Sequence, residues 1–186
     1  MKDLLDKLSY NIFNYLLPGI IFAALVEKLT SLKLIQQDIV VAVFFYYFLG
    51  SVISRVGSLL VEPALKKIGF IKFADYPDFI SASKADPKIE LLSEANNMYR
   101  TFIAMLVLIA VVKAYDYVEK IYPIMAVWSP YCVLAGLIVL YLSSYRKQTQ
   151  YITKRVEAAK NPPSLQDCFS SVSYTHLRAH ETPEHL

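Results

Sequence analysis

Ahead of His176 the sequence contains no histidine. The commonest metal ligand and the usual proton-transfer group near neutral pH are therefore missing from nearly the whole chain. Cysteine is scarce too. Cys132 lies inside an apolar run and Cys168 near the C-terminus, so no disulfide framework follows. The five glycines form no phosphate-cradling loop, and there is no Gly-x-Ser-x-Gly turn. Without a histidine to act as base, a Ser–His nucleophile is excluded ahead of the tail. Asp75, Asp78, Asp86, Glu90 and Glu94 are strung along one polar stretch and read as a solvated surface. These absences predict no catalytic residues, no metal site, no cofactor and no enzymatic activity. Charge is sparse as well, at 19% of residues, where soluble domains carry about 25%. A net charge of +3 is a weak signal, and no nucleic-acid partner is expected.

What fills the space is apolar. Hydrophobic residues make up 55% of the chain and gather in blocks almost free of charge, which points to a bilayer rather than to a large core. The block Pro123–Tyr145 has no charged residue over 23 positions, and about 20 suffice to cross the hydrocarbon. The others yield spans at about 10–29, 39–61 and 98–118, with the last at about 122–145. The second reaches full length if Arg55 snorkels to the interface. Pro18 and Gly19 are expected to kink the first. Asp86 before Pro87 is a helix-start signal and predicts one continuous helix from Pro87 through the third span, about 48 Å long. The first block has no small-residue cleavage site, so no cleavable signal peptide is expected. The predicted fold class is all-α and integral to the membrane. Four transmembrane helices form two hairpins, joined by a helical connector at 62–97.

Charge orients these spans. Fourteen Lys and Arg residues fall in the N-terminus, the connector with the span ends at Arg55 and Arg100, and the segment after Tyr145, against four, Lys28, Lys33, Lys113 and Lys120, at the other two loops. Positive charge is retained on the cytoplasmic side during insertion, so both termini are placed in the cytoplasm. Tyr115, Tyr117 and Tyr122 mark one interface, and Tyr141 and Tyr145 the other. In the connector, Pro63–Phe73 mixes Leu65, Ile68 and Phe70 with Lys66, Lys67 and Lys72, as an interfacial helix on the inner leaflet would. Residues 146–171 read as a cytoplasmic tail that starts as a polar helix and is ended by Pro162 and Pro163.

The last residues are of another kind. The run Val172–Thr182 resembles the conceptual translation of a transposon-end sequencing adapter, over eleven consecutive residues. The resemblance implies that the natural sequence stops near Ser171, that Pro183–Leu186 is index sequence, and that 172–186 belongs outside the fold. His176 and His180 are four apart with Glu181 adjacent, a spacing that places two imidazoles on one helix face as zinc requires. The same resemblance rejects that site, along with His185. The chain ahead of the tail resembles, in general look only, small bacterial multi-pass membrane proteins, which implies the bacterial cytoplasmic membrane.

Two sets of positions stand out. Gly19 and Ala23 on the first span, and Gly50, Ser54 and Ser58 on the second, recur at four-residue spacing. Small residues so placed let helices approach closely where hydrophobic drive is absent. Packing within the chain is the favoured use, and an oligomer interface is the other. Asn14, Arg55 and Arg100 fall near inner helix ends and could converge as a polar cluster that binds an anion or gates a pore; interface anchoring by snorkelling is the plainer reading. Lys113, Asp116 and Lys120 read as a local ion-paired helix end. One of Tyr46 and Tyr47 should face the bundle to satisfy its hydroxyl, and Cys132 reads as a small packing residue.

The expected partners are the lipid bilayer and either further copies of the chain or a membrane partner protein. The expected function is that of an interaction, structural or effector protein that oligomerises in the membrane. A pore or channel is the alternative, suggested by short spans with polar mouths. A transporter or membrane enzyme ranks last, because the strong spans hold no ionisable group at mid-membrane.

Overall fold

The computed structural model describes residues 11–160. The adapter-like stretch, the three histidines, Cys168 and the tail prolines lie outside the described residues. Within them the chain is helical, with no strand. The helices are α1 (Ile12–Leu29), α2 (Ile39–Lys67), α3 (Tyr76–Ala85), α4 (Lys88–Ile121) and α5 (Ile124–Lys160). In α1, α2, α4 and α5, 18-residue windows reach a mean hydropathy of 1.5, 1.9, 1.8 and 1.9. All four are long and apolar enough to cross a membrane.

Two prolines shape the bundle without breaking it. Each follows a single π-helical turn by one residue: Ile12–Leu16 precedes Pro18, and Gly57–Val61 precedes Pro63. A proline has no N–H, and its ring crowds the carbonyl four residues back. Widening the preceding turn relieves the crowding, since the N–H groups of Leu17 and Glu62 bond five residues back, to the carbonyls of Ile12 and Gly57. The helix therefore continues past Pro63 to Lys67. The interfacial helix expected over Pro63–Phe73 is accordingly not a separate element. Gly69, at φ +75°, stops α2, with Gly69 N–H bonded to Lys66 O and Phe70 N–H to Leu65 O. Lys66 then lies over the Phe73 ring at 4.1 Å and folds the following segment back on the helix end.

Two helix starts carry aspartate caps, and the one at Asp86 was expected. Asp38 accepts from Val40 N–H at 2.8 Å and Val41 N–H at 3.0 Å to open α2. Asp86 accepts from Lys88 N–H at 2.9 Å to open α4. That helix runs unbroken for 34 residues.

The apolar core belongs to three helices. Phe22 and Val26 of α1, Ile53 of α2, and Ala104, Met105 and Ile109 of α4 form one buried cluster. Its position, part-way along three crossing helices, leaves a polar layer at each end. Helix α5 stays outside. No residue in its apolar window is buried. Apart from Ser129, the half-buried residues of α5 form one stripe, Leu137, Leu140, Ser144 and Lys147, spaced three and four apart. Phe48 stacks on Tyr141 at 6.4 Å, and Tyr76 of α3 meets Tyr151 at 6.1 Å.

Candidate functional site

The small residues place the backbones. Gly19 and Gly50 lie at the crossing of α1 and α2, where a Cβ on either would overlap the carbonyl oxygen of the facing helix, Tyr46 and Tyr15 respectively. Ala23 and Ser54 are buried beside them, at 1% and 4% exposure. These four are therefore occupied inside the chain. A glycine that the spacing argument passed over, Gly57, does the same against α4, its Cβ position lying 3.2 Å from Ala104 Cβ and 3.3 Å from Arg100 O. It sits off the four-residue spacing, which is why the pattern missed it.

That close approach leaves room for a polar layer at the end of the bundle where α2 stops. Thr101 of α4 is fully buried and donates to Asn97 O at 2.9 Å. Its hydroxyl also stands 3.2 Å from Asn14 Oδ1 of α1 and 3.4 Å from Ser54 Oγ of α2. A buried polar group costs free energy unless bonded, so these three helices are tied in one register.

About two turns beyond Ser54 along α2 lies Glu62, 6% exposed, which the sequence reading treated only as the start of the connector. Arg100 donates to its Oε2 at 2.6 Å, Lys66 to its Oε1 at 3.1 Å, and Lys147 stands 3.7 Å from Oε1. One carboxylate thus joins α2, α4 and α5. Lys147 also donates to Ser58 O at 2.6 Å and Ser58 Oγ at 2.8 Å. The π turn explains that contact. In an α-helix Ser58 O would accept from Glu62 N–H, but this N–H goes to Gly57 O. Lys147 fills the vacated acceptor. Ser58 is therefore an anchor for α5 rather than a close-packing residue.

The set Asn14, Arg55 and Arg100 does not converge. Asn14 meets Thr101, Arg100 meets Glu62, and Arg55 lines a separate cleft between α2 and α5. The reason is helical phase: consecutive residues point about 100° apart, so Ser54 and Thr101 face inward while Arg55 and Arg100 turn aside.

At the opposite end, Lys120 donates to Asp116 at 2.8 Å, as a local pair would. Asp116 is nonetheless 3% exposed and also accepts from the backbone N–H of Ser31 at 2.9 Å and from its hydroxyl, while Lys113 donates to Leu29 O. The α1–α2 connection is thereby fastened to α4, a long-range role that helix spacing alone could not reveal. Glu27 holds the next part of the loop through Leu34 N–H at 2.8 Å and Ile35 N–H at 2.7 Å. Replacing Asp116 by Asn is expected to weaken this fastening and to speed hydrogen exchange at the Ser31 amide, with Leu34 and Ile35 unchanged. Equal protection of Ser31 in the variant and the parent would refute this assignment.

Tyr46 is the tyrosine whose hydroxyl is satisfied, accepting from Gln36 N–H at 3.1 Å, while Tyr47 meets Tyr15 edge-on at 5.5 Å. Cys132, read as a packing residue, is exposed, because α5 turns that face outward. Among the described residues no group of three or more His, Cys, Asp or Glu could hold a metal ion. Chemically, the site is a stack of buried polar anchors that fix helix register, with an excess of positive charge around the end of α2. No family model, curated protein or solved structure matches this chain.

Proposed function

We propose that the chain is a four-span integral membrane protein, inserted as two hairpins with both ends cytoplasmic, and that it works as an interaction or effector protein by associating with further copies in the bilayer plane. One observation carries the self-association: α5, with a window as apolar as that of any other helix, has no buried residue in it. It touches the bundle along a single stripe and leaves Trp128, Leu134, Ile138, Val139 and Leu142 exposed on its other faces. The small residues of α1 and α2 are already occupied, so a partner copy would meet α5. A pore within one copy is less favoured, since Phe22, Val26, Ile53, Met105 and Ile109 fill the space between the two polar layers. A bacterial cytoplasmic membrane location is part of this proposal: the charge bias supports the orientation, and the general look of the chain supports the location.

The test uses Cys132, which is exposed on α5. With Cys168 replaced by Ser, a bis-maleimide is added to native membranes, and the single cysteine is then moved in turn along α5 from Val127 to Leu142. The expected result is a crosslinked dimer at positions recurring every three to four residues, as one helix stripe requires. Monomer at every position would show that lipid alone covers this helix and would end the proposal.

A further inference from the structure

Besides Lys67, four cations surround the last turns of α2: Arg55, Lys66, Arg100 and Lys147. Glu62 faces Lys66, Arg100 and Lys147 and leaves Arg55 unmatched. Arg55 is half-buried, and among the described residues it has no hydrogen bond and no ion pair. It lines a narrow cleft of about 30 Å³ between α2 and α5 with Ser58, Leu59, Ser144, Lys147, Gln148 and Tyr151, and the last two are exposed at its mouth. Gln148 is likewise without a hydrogen-bond partner among the described residues, and so is the Tyr151 hydroxyl. Three unused donors therefore line one cleft together with the ammonium of Lys147.

The level of the cleft identifies its surroundings. Arg55 is sixteen residues beyond Ile39, the first residue of α2, which places it about 24 Å along the axis. Ser144 and Lys147 bracket Tyr145 and Arg146, the aromatic-then-basic pair that marks an interface. A half-buried guanidinium at that level is costly without a counter-charge, and its planar fork matches two oxygens of a phosphate.

We propose that the mouth of the cleft between α2 and α5 binds a phosphate group at the cytoplasmic surface of the membrane, held by the Arg55 guanidinium with Gln148 and Tyr151 as further donors and Lys147 supplying charge. Two sources share this chemistry, the headgroup of an anionic lipid and free phosphate. The site follows from insertion of the four spans. Extraction of membranes with alkaline carbonate tests that premise separately: release of the protein fails the insertion reading, whereas a retained protein indifferent to Arg55 fails only this one.

The decisive measurement is lipid retention by the full chain, purified in mild detergent with equimolar phosphatidylglycerol and phosphatidylcholine, and read by native mass spectrometry. Phosphatidylglycerol is expected to be preferred. R55Q is expected to weaken its retention about tenfold, while R146Q, equally basic but outside the cleft, changes it less than about twofold. Millimolar inorganic phosphate that displaces the lipid assigns the site to free phosphate; lipid that stays assigns it to a headgroup. Equal losses in R55Q and R146Q, or none in either, overturn the proposal, because retention is then diffuse surface attraction. Should R55Q fail to purify folded, R55K decides. It keeps the charge and loses the fork, so a loss of about threefold supports the site and an unchanged affinity overturns it.

Discussion

Replacing Gly50 by Ala is expected to destabilise the bundle by about 3 kcal/mol or more, since even one added carbon in a packed interior forces backbone shifts. The added carbon would overlap the Tyr15 carbonyl and come within 2.9 Å of Tyr15 Cα. Both are backbone atoms, so no side-chain rotation relieves the clash, and α1 must move away from α2. Gly19→Ala should behave alike, because its Cβ would overlap the Tyr46 carbonyl from the other side of the same crossing. Gly136 is the control. Nothing lies within 4 Å of a Cβ there, and Ala is the better helix former by up to about 1 kcal/mol. Unfolding in a titration of sodium dodecyl sulfate, followed through Trp128, ranks the three. A Gly50→Ala variant that unfolds at the same detergent fraction as Gly136→Ala would disprove the crossing.

Glu62→Gln is expected to cost about 3–5 kcal/mol, the usual penalty for removing one partner of a buried charged set. Three cations would be left facing one another at the end of α2 with no anion between them. The loss should not add to that of Arg100. In the double variant Glu62→Gln with Arg100→Gln, one unpaired charge disappears along with its partner, so its stability should exceed the sum of the two single losses by at least about 1 kcal/mol. Strict additivity in the same detergent titration would mean that the 2.6 Å contact contributes nothing. The penalty should also separate α5 from the bundle, because Lys147 is the polar link between them; faster proteolysis after Arg146 in the variant reads this directly.

The long helices were legible because their signal is local. An uninterrupted apolar run reports its own length, so Pro123–Tyr145 could be read without knowing any neighbour, and Asp86–Pro87 marked the start of α4 to within two residues. The end of α2 was not legible in the same way. Pro63 reads as a breaker, yet the π turn before it absorbs the missing hydrogen bond and carries the helix on to Lys67. The motif at Gly69 is recognisable only once the helix is known to reach that far.

The functional residues divide along the same line. Gly19, Ala23, Gly50 and Ser54 were visible because small residues at a fixed spacing form a pattern within one helix. Glu62 carries no pattern of its own. Its importance comes from Lys147, which is 85 positions away in sequence, and from Arg100 on a third helix. Asp116 and Ser31 are likewise joined only by the fold. Thr101 was invisible for the same reason, being one hydroxyl among many until Asn14 and Ser54 surround it.

By itself, then, the sequence determined composition, helix class and the length of each apolar run, because hydrophobicity and backbone bonding inside a helix depend on residues no more than one turn apart. Which faces meet was decided by the tertiary structure. The rotation of each helix about its axis sends Ser54 inward and Arg55 toward the cleft, and a difference of one residue, about 100° of turn, separates a buried anchor from a free cation.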